Sequence, residues 1–280
     1  MIKHYQELIE RALEEDGAYA DITTLSTVPE DQQAQAMLLA RQVGVVAGLT
    51  IALDVFRTLD ERVEVEVVVQ DGVTVEANAV LARLHGSARS ILSAERVALN
   101  FLGRLSGIAT LTAQCVHVVE GAHTRILDTR KTTPTLRQLE KTAVLLGGGH
   151  NHRFNLSDGV LIKDNHIKAA GGITQAITGA RRMAPHLLKI ECECETLAEV
   201  EEAVKARADV VLLDNMDIEA MRSAVMLLRR EAPYVLIEAS GNIGANMARL
   251  AEVAATGVDF ISLGAITHSV PNFDVSLEFA

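Results

Sequence analysis

Along the second half of the chain, short apolar runs of strand length alternate with longer stretches of helical period. The runs are TRILDT (124–129), GVLIKD (159–164), LKIECE (188–193), DVVLLDN (209–215), YVLIEAS (234–240) and VDFISLG (258–264). Between them lie ITQAITGARRMA, LAEVEEAVKARA, IEAMRSAVMLLRR and IGANMARLAEVAATG, where apolar residues recur at helical spacing. Nearly continuous apolar strands separated by amphipathic helices predict six β/α units and a parallel sheet covered by helices.

The first part of the chain has a different rhythm and predicts an α+β unit. Residues 3–15 form a helix that ends before the turn-like DGAYADITT. A strand follows over 35–47, broken at Gly44 and Gly48, and then a helix over 49–59. VEVEVVVQDGVTVEANAVLARL alternates with period two around Asp71-Gly72, a dipeptide that favours a tight hairpin. A helical pattern from about Ser90 to Leu105 closes this part. The change near residue 105 divides the chain into an N-terminal domain over 1–105 and a β/α domain over 106–280.

Charge narrows the chemistry. The formal net charge of −11 argues against a general affinity for nucleic acid or an anionic membrane. No apolar run reaches the 18 residues a transmembrane helix needs, and MIKHYQELIERALEED reads as an amphipathic helix, not a signal peptide. The three cysteines, Cys115, Cys192 and Cys194, do not make a disulfide framework and suit a reducing cytoplasm. In KIECECE, alternation puts Cys192 and Cys194 on one strand face and the glutamates on the other, so both cysteines are expected to be half-buried structural residues.

Within this acidic chain, residues 130–168 hold seven Lys or Arg against three Asp or Glu, a local +4. A basic island of that kind suits a small anionic ligand. Of its members, Arg137 and Lys141 follow Pro134 on a helix and are as consistent with a solvated face as with a site. Charged or glycine residues close nearly every apolar run: Asp128, Arg130 and Lys131, then Lys163 and Asp164, Glu191 and Glu193, Asp214 and Asn215, Glu238 with Ser240-Gly241, and Gly264-Ala265. The carboxyl ends of barrel strands are where active sites are built. Basic residues on one wall and Glu193 and Asp214 on another suit a polyanion held with Mg²⁺. The glycine-flanked turns IEASGN and SLGAITHS, leading toward helices, suit a phosphate.

The stretch GGGHNHRF (147–154) raises two further readings, a metal site and a phosphate loop. His150 and His152 supply only two nitrogens, and Arg153 and Lys163 would repel a cation. The glycines lead into a strand, whereas phosphate loops lead into a helix N-terminus. A Schiff-base lyase using Lys163 or Lys131 is a rival reading, but such a lysine needs an apolar setting that these charged neighbours deny. A non-catalytic phosphosugar-binding barrel would not need the Glu193/Asp214 pair.

AERVALNFLGRLSGIATLT, DTRKTTPTLRQLEK, GGGHNHRFNLSDGVLIKDNHI, VLLDNM, IEASGNI and GVDFISLGAITHS, in that order between Asp21 and Ser269, resemble the quinolinate phosphoribosyltransferase family. The resemblance implies an N-terminal α/β sandwich domain and an incomplete, open α/β barrel of about six to seven parallel strands, with a C-terminal tail able to pack back on the first domain. It implies transfer of phosphoribose from phosphoribosyl pyrophosphate to quinolinate, with Mg²⁺, giving nicotinate mononucleotide, pyrophosphate and CO₂ for NAD biosynthesis. It further implies a homodimer, in some members assembled to a hexamer, in which Arg96 is donated to the neighbouring site. By position, Arg130, His152 and Arg153 correspond to carboxylate binders, and Lys131 and Lys163 to groups that bind substrate and pyrophosphate. Glu193 and Asp214 correspond to carboxylates serving Mg²⁺ and the ribose hydroxyls, directly or indirectly. Ser240, Gly241, Asn242, Gly264 and Ala265 correspond to a cradle for the 5′-phosphate, with His268 beside it. The chain departs from the family pattern at Ala20, Thr142, Leu145 and Asn242, the last standing where many members have a second glycine. A paralogous phosphoribosyltransferase of the same fold, acting on another base, is the alternative reading.

Overall fold

The computed structural model describes residues 3–280. In chain order the first elements are α1 (Lys3–Asp16), α2 (Ile22–Thr27), β1 (Gln33–Ala40), β2 (Gly44–Val45), α3 (Leu49–Leu59), β3 (Glu64–Val67), β4 (Thr74–Val75), β5 (Val80–Ser87) and α4 (Ala88–Val118). They are followed by β6 (Arg125–Leu127), α5 (Arg137–Leu146), β7 (Val160–Ile162), α6 (Asp164–Ala170), α7 (Ile173–Met183), β8 (Ile190–Cys194), α8 (Leu197–Lys205) and β9 (Val210–Asp214). The last are α9 (Ile218–Glu231), β10 (Leu236–Ser240), α10 (Met247–Ala254), β11 (Phe260–Ser262), α11 (Ala265–His268) and β12 (Val275–Phe279). Two compact units result. One comprises residues 1–113, 138–147 and 270–280, and the other residues 114–137 and 148–269.

The first unit is built on a four-stranded antiparallel sheet in the order β12-β1-β5-β3. The C-terminal strand β12 is an edge of this sheet, with Leu277 opposite Leu38 of β1. Ile9, Leu13, Leu38, Phe56, Leu81, Ile91 and Leu102 are wholly buried and form its core. The hairpin expected at Asp71-Gly72 is not formed. β3 pairs with β5, while β4 pairs with β2. Asp71 instead points its carboxylate at the start of α3, accepting hydrogen bonds from the Leu49 and Thr50 amides at 2.8 and 3.4 Å. Those amides lack helical partners, and Asp71 caps them while Asp71-Gly72 still makes its turn, with the Val73 N–H donating to the Gln70 carbonyl at 3.4 Å.

Nor does a helix end near Leu105. α4 runs unbroken to Val118, passing through Gly107. A Cβ at Gly107 would lie 2.3 Å from the Pro271 carbonyl oxygen, so this glycine admits a close crossing of the chain and is not a helix stop. Lys141 and Glu140 of α5 are buried in the same unit, where Glu140 receives Arg104 at 2.8 Å. The solvated face that was open to Lys141 from sequence is therefore not its environment.

The second unit carries all six strands expected from the apolar runs, as one parallel sheet in the order β6-β11-β10-β9-β8-β7. β6 and β7 stand at opposite edges, so the sheet curves as an open barrel of six strands. The loops that follow the strands end in side-chain caps: Thr196 for α8, Asp217 for α9 and Asn246 for α10 each accept a backbone N–H in the first helical turn. All five residues of β8 are buried, so Cys192 and Cys194 are fully buried instead of half-buried. The register sets Cys192 beside Val211 and Cys194 beside Leu213 on the helix-covered face. The alternate residues form the opposite face, where Leu161 adjoins Glu191, Glu193 adjoins Leu212, Leu212 adjoins Glu238, and Asp214 adjoins Ser240.

Candidate active site

On that polar inner face, at the carboxyl ends of the strands, the second unit has a cleft of about 660 Å³. Its walls come from every strand end. Arg130 and Lys131 follow β6, Lys163 follows β7, Glu193 lies in β8, Asp214 ends β9, Ser240 to Asn242 close β10, and Gly264, Ala265 and His268 follow β11. His152 and Arg153 enter from the loop before β7. Every candidate residue read from the sequence lines this cleft except Arg96, which is exposed on α4 in the other unit.

One wall is cationic. Arg153 donates to the Gly159 carbonyl at 2.9 Å, and Arg137 donates to the carbonyls of Arg130 and Phe154, both at 3.3 Å. Arg137 therefore ties together the two backbone segments that carry Arg130 and Arg153 and is not a solvated charge. Burial first, and then the neighbouring Arg130 charge, pull Arg153 below the usual guanidinium range. The Arg130 Nε is buried without a hydrogen-bond partner among the described residues. Two crowded guanidinium groups, one with an unsatisfied donor, suit a planar anion. Lys131 is exposed on this side, with its carbonyl held by the Thr267 hydroxyl at 2.8 Å.

The opposing wall is anionic. Glu193 is buried and takes the Lys163 ammonium at 2.8 Å. Burial, and then the Glu193 charge, push Asp214 above the usual carboxylate range. A carboxylate raised by a neighbouring like charge is relieved by a hard cation, so the oxygen donors of Glu193 and Asp214 fit a divalent metal such as Mg²⁺.

The end of the cleft at β10 and β11 is shaped by backbone. Gly241 has φ +80°, and a Cβ there would meet Asn215 Oδ1 at 2.2 Å. Asn242, at φ +51°, occupies the left-handed region, which asparagine tolerates better than other residues with a side chain. Its departure from the family's glycine therefore keeps the turn. At Gly264 a Cβ would approach His268 Nε2 to 2.9 Å and Lys131 Cδ to 3.1 Å, so the small residue keeps this corner open.

Beneath the arginines lies a buried acidic layer. Asp128, wholly buried, accepts the His152 backbone N–H at 2.8 Å. Glu191 and Glu238 are 7% and 3% exposed. The His152 ring bonds Glu191 through Nε2 at 3.1 Å and has Glu238 3.7 Å away, while its Nδ1 accepts the Arg153 backbone N–H at 2.7 Å. Burial first, and then the Glu191 charge, push Glu238 up to about 8. Burial pulls the His152 ring toward its neutral form, while the Glu191 hydrogen bond and the Glu238 charge pull it back above its ordinary range. The amide contact decides between them, because a neutral imidazole has one lone pair and Nδ1 has already given it to Arg153.

One oxygen from each of Glu191 and Glu238 and a ring nitrogen of His152 lie within 4.8 Å of one another, close enough for metal ligands. The tautomer argues against that use, since Nε2 must then carry a proton, and Arg153 stands alongside. His150, left without a role in the sequence reading, extends the sheet edge through its backbone: its N–H donates to Ile126 and its carbonyl accepts from Asp128, while its side chain is exposed.

Sequence reasoning named Glu191, Glu238 and Asp128 as charges at strand ends but gave them no role. The available signal was alternation, which sets Glu191 and Glu193 on one face. What the sequence did not carry was the loop that lowers His152 onto them.

The chain matches two family models, the quinolinate phosphoribosyl transferase N-terminal domain over residues 21–106 and the C-terminal domain over residues 108–278. It is 46% identical to a "Probable nicotinate-nucleotide pyrophosphorylase (carboxylating)" of Synechocystis sp., covering 88% of this chain and 83% of that one. It is 40% identical to the nicotinate-nucleotide pyrophosphorylase (carboxylating) of Mycobacterium leprae, covering 98% and 96%. Among solved structures, the nicotinate-nucleotide pyrophosphorylase of Ehrlichia chaffeensis superposes with a TM-score of 0.93 at 40% identity, covering all of both chains.

Proposed function

The chain belongs to the quinolinate phosphoribosyltransferase family, and from that premise we propose how its residues divide the work of the reaction. That reaction is decarboxylating phosphoribosyl transfer from phosphoribosyl pyrophosphate to quinolinate, giving nicotinate mononucleotide, pyrophosphate and CO₂ in NAD biosynthesis. The observation that carries the assignment of roles is the unsatisfied Arg130 Nε beside a half-buried Arg153. Quinolinate is a planar dianion, and guanidinium groups offer planar donor pairs that match its carboxylates.

Arg130 and Arg153 orient the pyridine ring so that its nitrogen faces the ribose carbon. Displacement of pyrophosphate there builds positive charge on the sugar and negative charge on the leaving group. Lys131 and Lys163 offset the negative charge, and Glu193, facing the sugar from the opposite wall, offsets the positive. Ser240, Gly241, Asn242, Gly264 and Ala265 hold the 5′-phosphate through backbone N–H groups and the Ser240 hydroxyl, with His268 alongside. Glu193 and Asp214 would hold Mg²⁺, which when bound neutralises pyrophosphate oxygens. Once the ring nitrogen is alkylated, its positive charge stabilises the electron pair that the departing CO₂ leaves on the adjacent ring carbon, and a proton from solvent then takes that position. The protein's task in that step is to keep the ring fixed.

Arg96 is exposed on α4 and absent from the cleft's lining, which supports its donation to the site of a second copy in a homodimer or a larger assembly built from dimers. Among the described residues no helix is long and apolar enough to cross a membrane. Three buried free thiols suit the reducing cytoplasm.

The test is base selectivity. Purified protein with phosphoribosyl pyrophosphate and Mg²⁺ should form nicotinate mononucleotide from quinolinate and none from nicotinate. Product from nicotinate or another base, with none from quinolinate, would replace this reading with that of a paralogous phosphoribosyltransferase.

A further inference from the structure

The buried layer under the arginines has a consequence for how the anion is held. Arg153 is reached through His152 at both of that residue's ends. The His152 backbone N–H is fixed by Asp128 at 2.8 Å, and its Nδ1 takes the Arg153 backbone N–H at 2.7 Å. Its Nε2 points at Glu191, 3.1 Å away, with Glu238 behind. A neutral imidazole has one N–H and one lone pair, and both are now committed inside the protein. The ring then has nothing left to give a substrate carboxylate without first losing a bond to Glu191 or to the Arg153 amide.

We infer that Glu191, with Glu238 behind it, is a positioning residue for quinolinate binding: it locks the His152 ring as the Nε2–H tautomer, so that His152 aims Arg153 instead of gripping the substrate itself. The substrate side of this inference rests on the quinolinate reading; the tautomer does not.

The arrangement makes sense of two buried carboxylates at the base of an anion site. Placed against the anion they would repel it. Placed behind an imidazole and beneath guanidinium groups, Glu191 offsets the cations that the site must hold before substrate arrives, while Glu238, its proton held up to about pH 8, adds no second charge to the layer. Glu191 also supplies the acceptor that fixes which ring nitrogen bears the proton, as carboxylates behind functional histidines do. Metal binding by the same three side chains requires the opposite protonation at Nε2.

Two measurements test the inference. In the first, the ring nitrogens of ¹⁵N-histidine-labelled enzyme are observed by NMR, with His152 assigned through His152→Asn. The expected result is a protonated Nε2 and an unprotonated Nδ1, unchanged when quinolinate is added without phosphoribosyl pyrophosphate. A protonated Nδ1 in the free enzyme, a change at Nε2 on adding quinolinate, or a perturbation by stoichiometric Zn²⁺ would each overturn it.

In the second, Glu191→Ala should raise the quinolinate KM by about tenfold, the scale of losing one charged hydrogen bond, with kcat and the phosphoribosyl pyrophosphate KM within about twofold of the parent. Glu191→Gln, which keeps a carbonyl acceptor for Nε2–H, should restore the quinolinate KM to within about threefold. Equal losses in both KM values, or no recovery with Gln, would reduce Glu191 to a general structural residue. Should quinolinate prove not to be the substrate, the functional reading fails while the tautomer in the free enzyme still decides the inference.

Discussion

Arg130 and Arg153 are held at close quarters in a partly buried wall, a costly arrangement for two cations without an anion between them. Their value lies in geometry as much as charge. Lysine in place of Arg153 keeps the charge but loses the planar donor pair and the 2.9 Å bond to Gly159. Arg153→Lys is therefore expected to raise the quinolinate KM by about tenfold or more and to leave the phosphoribosyl pyrophosphate KM nearly unchanged, as steady-state kinetics would register. At the other end of the cleft, Gly241→Ala puts a methyl 2.2 Å from Asn215 Oδ1 at φ +80°. Phosphoribosyl pyrophosphate binding should weaken severely, while Asn242→Gly, at a φ that glycine adopts freely, should remain close to the parent.

Glu238 adds a pH dependence. Its folded value of about 8 lies above the ordinary 4.5, so between those values the folded protein keeps a proton that the unfolded chain has released. Its contribution to stability is complete below about 4.5 and is lost as pH rises through about 8. Glu238→Gln should flatten that decline, measured as urea midpoints at pH 5 and pH 8; parallel declines in both proteins would count against it. The charged and glycine positions of this site were legible in the sequence because each closes an apolar run. The tautomer of His152 was not, since it depends on a loop and a strand brought together by the fold.

Among the elements, the β/α alternation of the second unit was legible throughout, because buried parallel strands and amphipathic helices differ sharply in period. The first unit was harder to read. Asp71-Gly72 has the composition of a hairpin, yet Asp71 serves α3 from 21 residues away, and no local pattern reports such a partner. Asp71→Ala should cost about 1 kcal/mol of stability through loss of the cap, and Asp71→Asn much less, as denaturant titration would resolve. The helical pattern expected to end near Leu105 runs on through Gly107, whose structural use is to let the Pro271 carbonyl approach α4. Glycine in a sequence marks a close approach or a turn, and only the packed chain distinguishes them.

At the scale of the molecule, the division of the chain is not linear. The first unit takes back residues 138–147 and the C-terminal 270–280, the latter through the pairing of β12 with β1. The open six-stranded sheet of the second unit gathers the strand-end residues into one cleft, and Arg96 lies outside it. If Arg96 completes the site of a second copy, Arg96→Ala and Glu193→Ala proteins, each inactive alone, should regain about a quarter of parental activity when mixed and allowed to exchange. That figure follows from random pairing, with half the dimers mixed and one intact site in each. No recovery despite demonstrated exchange would count against a shared site.

The central claim is that one cleft both transfers phosphoribose and releases the carboxylate next to the ring nitrogen. Its most direct test is the product balance with quinolinate labelled in that carboxylate. The account predicts labelled CO₂, pyrophosphate and nicotinate mononucleotide in equal amounts throughout the time course. Pyrophosphate release with the label retained in the nucleotide, or no turnover of quinolinate at all, would contradict it.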